Sequence, residues 1–144
     1  QEQNRDRALL LSALVFPLFD QYLQGKSKSV ERPLHLGQIG QAAHHVIECV
    51  FSPFFNIPRR IKAVMAFILT SQYRFIPLDG KQIRPRPLRD SLSPLSLKLL
   101  KIRSAVQPEL LPHYTLWTES VFAGHIEQAQ PERRRPRRRR RPQA

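Results

Sequence analysis

One cysteine stands in the whole chain, Cys49. A lone thiol cannot close an internal disulfide and lacks the paired Cys and His spacing of a zinc site. Cys49 therefore reads as a small buried hydrophobe in a protein of a reducing compartment. Glycine is scarce too, at five residues, and none cluster into a phosphate-cradling loop. Acidic residues number eleven against 24 lysines and arginines, and no paired carboxylates suited to general acid–base chemistry stand out. No serine or cysteine nucleophile motif is present. His44 and His45 are adjacent, so on a helix they point about 100° apart and share no metal-binding face. Glu48 beside them reads as ordinary helix surface, and His113 and His125 have no recognisable partners. These gaps leave no expected catalysis, metal or cofactor. Long apolar runs are missing as well. The longest, ALLLSALVFPLF at 8–19, is short for a membrane span, is interrupted by Pro17 and lacks a basic leader. No membrane partner is expected.

What the chain has is positive charge, a net +13. The final fourteen residues, with eight arginines and one glutamate, hold seven of these charges and the rest of the chain keeps six. A basic body followed by a basic tail points to a polyanionic partner, nucleic acid before membrane. Arg133, Arg134, Arg135, Arg137, Arg138, Arg139, Arg140 and Arg141 have nothing apolar to bury beside them. They read as a disordered arm over 129–144 that lies on phosphate backbones. Residues 5–128 read as the folded domain.

Apolar periodicity marks the helices of that domain. Leu9, Leu10, Ala13, Leu14 and Phe16 form a first stripe, which Pro17 is expected to bend or end, with GKSKS at 25–29 as a flexible basic loop. A second helix covers Ile39 to Val50. Phe51, Phe54 and Phe55, in the break that follows, are too clustered to be base-stacking aromatics and are assigned to the core. Asn56 is the expected cap of a third helix with Pro58 in its first turn, a buried stripe through Ile61, Val64, Met65, Ile68 and Leu69, and an end over Ser71 to Phe75. Arg59, Arg60 and Lys62 fall in its first turn, where positive charge opposes the helix dipole. An RNA phosphate at that helix end supplies the missing negative charge and meets free backbone N–H groups. Pro77, Asp79 and Gly80 form a turn expected to lead into a short strand or hairpin, followed by an extended KQIRPRPLRD. Helices are then expected over Ser93 to Val106 and Thr115 to Gln128.

Several of these pieces together resemble the bacterial ProQ/FinO RNA-chaperone family. Phe16-Pro17 with Phe19, RPLHLG at 32–37, TSQYRF at 70–75 and LDG at 78–80 follow the order of that family's motifs over about residues 9–90. The chain departs from the pattern in having His35 where lysine is common, and in lacking an arginine-bearing insertion before the turn. The resemblance implies a mainly α fold with a small β-hairpin or sheet, an α+β, FinO-like architecture. It also implies binding to the base of an RNA stem-loop and its single-stranded 3′ tail. Arg32 and His35 would then lie near phosphates. Thr70, Ser71, Tyr73 and Arg74 would form the pocket for the 3′-terminal nucleotide, with Arg84 standing in for the missing insertion arginine. Such a protein stabilises small RNAs or promotes their pairing, as a monomer in the bacterial cytoplasm, without a catalytic group. The rival reading is a helical DNA-binding or protein-interaction module of a plasmid or virus. Against its helix-turn-helix form, FSPFFN is a very apolar turn and the helix after it has few side chains able to read base edges.

Overall fold

Helix α3, Arg59–Phe75, is the element the others pack on, in a computed structural model that describes residues 2–81 and 83–129. Before it come α1, Glu2–Lys28, and α2, Leu36–Phe51; after it come α4, Ser93–Val106, a 3₁₀ turn over Pro108–Leu110, and α5, Leu111–Ala129. Helix α3 touches α1, α2 and α4, and α5 is held on α4. No strand occurs among the described residues, which corrects the expected α+β architecture to an all-helical one. The physical reason lies in the sequence after the turn. Gly80 adopts a φ of 71° and its N–H donates to the Pro77 carbonyl at 3.1 Å, so the chain does turn there. The segment that follows, however, carries Pro85 and Pro87, which have no N–H to give a ladder. Residues 83–90 form neither strand nor helix, and Leu88 is buried among them.

The long first helix corrects two further expectations. Pro17 neither ends nor replaces it, and GKSK at 25–28 continues it. Proline removes the N–H that would bond the Ala13 carbonyl, at a cost of about 3 kcal/mol. Burial of Val15, Phe16, Phe19 and Leu23 on the inner face offsets that cost, since each fully buried side chain contributes roughly 1.5–3 kcal/mol. At 27 residues α1 is long and apolar enough to cross a membrane by length and composition, but a third of that stretch is buried inside the fold.

Two apolar clusters result. The larger one joins α1, α2 and α3 through residues such as Phe19, Ile47, Met65 and Ile68, with Leu95 and Leu99 of α4. The smaller one, at the end of α3, gathers Phe75, Leu88, Leu97, Leu100, Trp117 and Val121. Trp117 Nε1 donates to the Phe75 carbonyl at 3.1 Å, which fastens α5 to α3. Helix α4 keeps its expected bounds, with Pro94 in its first turn, whereas α5 begins at Leu111 rather than Thr115.

Three residues assigned inward are exposed instead, Phe54, Phe55 and Cys49, whereas Phe51 is half-buried and packs against the core. The turn from Ser52 to Asn56 is too short to fold back over the core that Ile57 closes, so its rings pack on each other, Phe51 against Phe55 at 5.6 Å.

Candidate functional site

Helix α2 starts from a histidine. His35 has extended backbone, its Nδ1 accepts from the Gln38 N–H at 3.2 Å, and Gln38 Oε1 accepts from the His35 N–H at 3.1 Å. This reciprocal capping box satisfies two helix-end donors. It fixes the imidazole as an acceptor at Nδ1 and leaves Nε2 as the other ring position. A Cβ on Gly37 would meet the same ring at 3.1 Å, so glycine there lets the imidazole fold against the helix. The Leu36 and Gly37 N–H groups, in the first turn, have no intrahelical partner, and no acidic residue sits among them.

The helix start opens onto a cleft of 240 Å³. Its walls come from four places in the chain: Ser27 of α1, residues 33–36, Tyr73 and Arg74 with 77–79 at the end of α3, and Ile83 and Arg86 of the segment after the turn; Trp117 completes the lining. His35, Tyr73 and Arg74, implied separately by the family resemblance, therefore share one site, together with the Leu78-Asp79 turn. Asp79 Oδ1 accepts from the Lys81 N–H at 3.0 Å, which holds its carboxylate to the turn. Arg32 is exposed in the loop just before this wall. Arg86 lines the cleft and Arg84, also exposed, does not.

Other expected site residues lie elsewhere. Ser71 is buried and Thr70 half-buried, facing Gly40 of α2. Tyr73 reaches the cleft only with its ring, because its hydroxyl donates to Asp20 Oδ1 at 2.6 Å. Burial and then the Asp20 carboxylate push the phenol far above its ordinary range, so it stays protonated. Close by, Arg103 lies over the Phe16 ring at 4.1 Å and donates from Nη1 to Gln72 Oε1 at 3.1 Å. Gln72 Nε2 in turn donates to the Ser96 carbonyl at 3.0 Å. Burial lowers the Arg103 pKa, opposed by Tyr73 and Asp20. This buried polar chain across α1, α3 and α4 was missed from sequence. The only signal for it was the run of polar residues at 71–74 inside an apolar helix.

Arg59, Arg60 and Lys62 sit at the opposite end of α3, roughly 18–22 Å from Arg74 along the axis at the rise of an α-helix. Pro58 rather than Asn56 is the cap residue there, with no side-chain bond to the helix end. Lys62 pairs with Glu48 of α2, so part of the missing negative charge comes from the protein itself. Arg59 and Arg60 are exposed, and Arg60 lies in a shallow hollow beside Arg5 of α1. The molecule thus has two basic regions, one at each end of α3. The tail arginines Arg133 to Arg141 lie outside the described residues.

His45 Nε2 lies 3.6 Å from Cys49 Sγ, and the imidazole packs on the Tyr22 ring. No group of three or more His, Cys, Asp or Glu side chains able to hold a metal forms among the described residues. Compared with known proteins, the chain matches no family model, no curated protein and no solved structure.

Proposed function

We propose that the chain is an RNA-binding protein, not an enzyme, that takes the base of a stem-loop and its single-stranded 3′ end in the cleft beneath α2. The observation that carries this reading is the meeting of RPLHLG, the Tyr73-Arg74 end of α3, the Leu78-Asp79 turn and Arg86 around one opening. The resemblance of those same segments to ProQ/FinO RNA chaperones adds to it. Arg74 and Arg86 supply charge for phosphates, while the α2 first turn offers backbone N–H groups and the His35 ring a further polar edge. The volume is below that of a site for a drug-sized ligand and suits a terminal sugar and its phosphate. A-form RNA is recognised chiefly through shape, phosphate and 2′-hydroxyl contacts, so two arginines at the rim of a small, largely apolar cleft suit a phosphate outside and a sugar face within. The arginine tail adds affinity that does not depend on sequence and speeds encounter between strands. The protein then stabilises small RNAs or promotes sense–antisense pairing in the bacterial cytoplasm, with no cofactor.

The test is a gel-shift competition at moderate salt between a terminator-like hairpin with a free 3′-OH tail, the same hairpin blocked at that end, and duplex DNA. Preference for the free-ended hairpin supports the reading. Equal binding of all three leaves only a basic protein with an adhesive tail. A helical DNA-binding or protein-interaction module is the second reading, and the specific observation in its favour is the exposed Phe54-Phe55 pair at the α2–α3 turn.

A further inference from the structure

Helix α1 buries one face and leaves the other bare. Leu10, Leu14 and Leu18, four residues apart, form a single outward stripe and are 63%, 66% and 51% exposed. Beside Leu18 runs a groove of 470 Å³ between α1 and α4, lined by Phe16, Pro17, Leu99, Ile102 and Val106 among others. Ile102 and Val106, on its far lip, are 46% and 81% exposed. A ridge of leucines therefore lies directly alongside a groove able to receive such a ridge.

We propose that a second copy of this chain covers the face, with its α1 antiparallel to the first across a two-fold axis at Leu14. Two arguments select this occupant. The first is register. Arg7 and Gln21 stand seven residues either side of Leu14, two turns away on the same line of the helix. An antiparallel pair centred on Leu14 sets Leu14 on Leu14, Leu10 on Leu18 of the second copy, and Arg7 on Gln21 of the second copy. The Arg7 charge then meets an amide oxygen it can donate to, and Asp6, four residues before Leu10, falls opposite Tyr22 of the second copy. A parallel pair would instead oppose Arg7 to Arg7, a like-charge contact. An isologous interface requires such self-complementarity.

The second argument is area. The five exposed aliphatic side chains present on the order of 500 Å², near the upper end for the largest apolar patch of a typical monomer. A stable dimer covers roughly 800 Å² of each partner. The groove walls and the flanking turns of a helix about 40 Å long make up the difference. An anionic lipid surface fits less well, because the groove carries the half-buried Asp20 carboxylate with Gln21 and Gln107, and the Arg103 guanidinium that also lines it is already held over the Phe16 ring and by Gln72. The proposal is independent of the RNA reading, since neither Arg74 nor Arg86 takes part.

The experiment uses the full chain, treated with nuclease and freed of nucleic acid, in sedimentation equilibrium up to about 100 µM. The expected mass is twice 16.8 kDa, with Leu14→Glu reverting to the single mass while its circular dichroism spectrum stays that of the folded wild type; its melting temperature falls only by what the association contributed. In a Cys49→Ser background, Leu14→Cys should be joined to itself by a short bis-maleimide, while Leu111→Cys, exposed on α5 away from the stripe, should not. A wild-type monomer at the highest concentration overturns the proposal. So does a dimer indifferent to Leu14→Glu, or one in which Leu14→Cys does not cross-link. A monomer that floats with phosphatidylserine-containing vesicles, and ceases to with Leu14→Glu, also overturns it and assigns the face to lipid.

Discussion

Tyr73 and Asp20, 53 positions apart in sequence, are joined by a 2.6 Å hydrogen bond that ties the last turns of α3 to the middle of α1. The phenol also packs between Phe16 and Phe19, stacked on one and edge-on to the other. Burial first, and Asp20 second, raise its pKa. In the unfolded chain tyrosine titrates near pH 10. Stability from the retained proton is therefore fully present below about pH 10 and declines above it, by up to ~1.4 kcal/mol per pH unit. Tyr73→Phe should cost about 1–2 kcal/mol at neutral pH by leaving the carboxylate without its donor. The gap to wild type should narrow above about pH 10. Urea titrations of both proteins at neutral and alkaline pH check this, and a gap unchanged by pH would remove the bond as its cause.

The elements were legible where apolar spacing was regular, and the failures have separate physical origins. Ile61, Met65, Ile68 and Leu69 announced α3, and Ser93-Pro94 announced α4 to the residue. Pro17 misled because local propensity was set against tertiary burial that outweighs it. Thr70, Ser71, Tyr73 and Arg74 were expected together around one pocket, but only Tyr73 and Arg74 line the cleft; sequence could not say that Ser71 turns inward and that the Tyr73 hydroxyl is already engaged. Arg86 was missed because nothing in KQIRPRPLRD distinguishes it from Arg84; only the path of the chain past Leu88 does. The hairpin was inferred from a turn that exists, without the ladder donors that Pro85 and Pro87 withhold.

Trp117 is the sole tryptophan, 1% exposed, with its indole N–H bonded to the Phe75 carbonyl. Its emission should be blue-shifted in the native protein and move to the red in one step on unfolding. Trp117→Phe keeps an aromatic against Phe75 but orphans a carbonyl, at a cost of about 1–3 kcal/mol. Trp117→Ala should cost about 3–5 kcal/mol through the cavity it opens. Thermal melts followed by circular dichroism rank the two; equal losses would assign the effect to the hydrogen bond alone.

The capping box at His35 makes a sharper distinction. His35→Ala should lower stability by about 1 kcal/mol, since the Gln38 N–H loses its acceptor. His35→Asn should recover most of that loss, because an asparagine side chain caps the same N–H. Denaturant midpoints measure both. An alanine variant as stable as wild type would show that solvent replaces the imidazole at no cost.

Exposure of the α2 surface and of the α2–α3 turn predicts two cheap results. Cys49 should react stoichiometrically with a thiol reagent in the native protein, without denaturant, as an exposed thiol must. Phe54→Ser, at a side chain 82% exposed, should change stability by no more than about 0.5 kcal/mol. A protected thiol or a large loss at Phe54 would mean that something covers this surface in solution.

The two basic ends of α3 separate reading from adhesion. Arg74 and Arg86 face the cleft, whereas Arg59 and Arg60 lie at the far end of the helix, Arg60 beside Arg5. Charge reversal of Arg74 and Arg86 together should abolish preference for a free-ended hairpin and reduce the slope of log K against log salt by about 2. Reversal of Arg59 and Arg60 should weaken binding of hairpin and duplex alike, lowering the slope while keeping the preference, and should leave the melting temperature nearly unchanged because both side chains are solvated. Filter binding across a salt series, with both nucleic acids and all three proteins, gives the slopes and the preferences from the same data. If the far-end pair carries the preference and the cleft pair does not, the reader is the uncapped start of α3, and the cleft beneath α2 is only a fold in the surface.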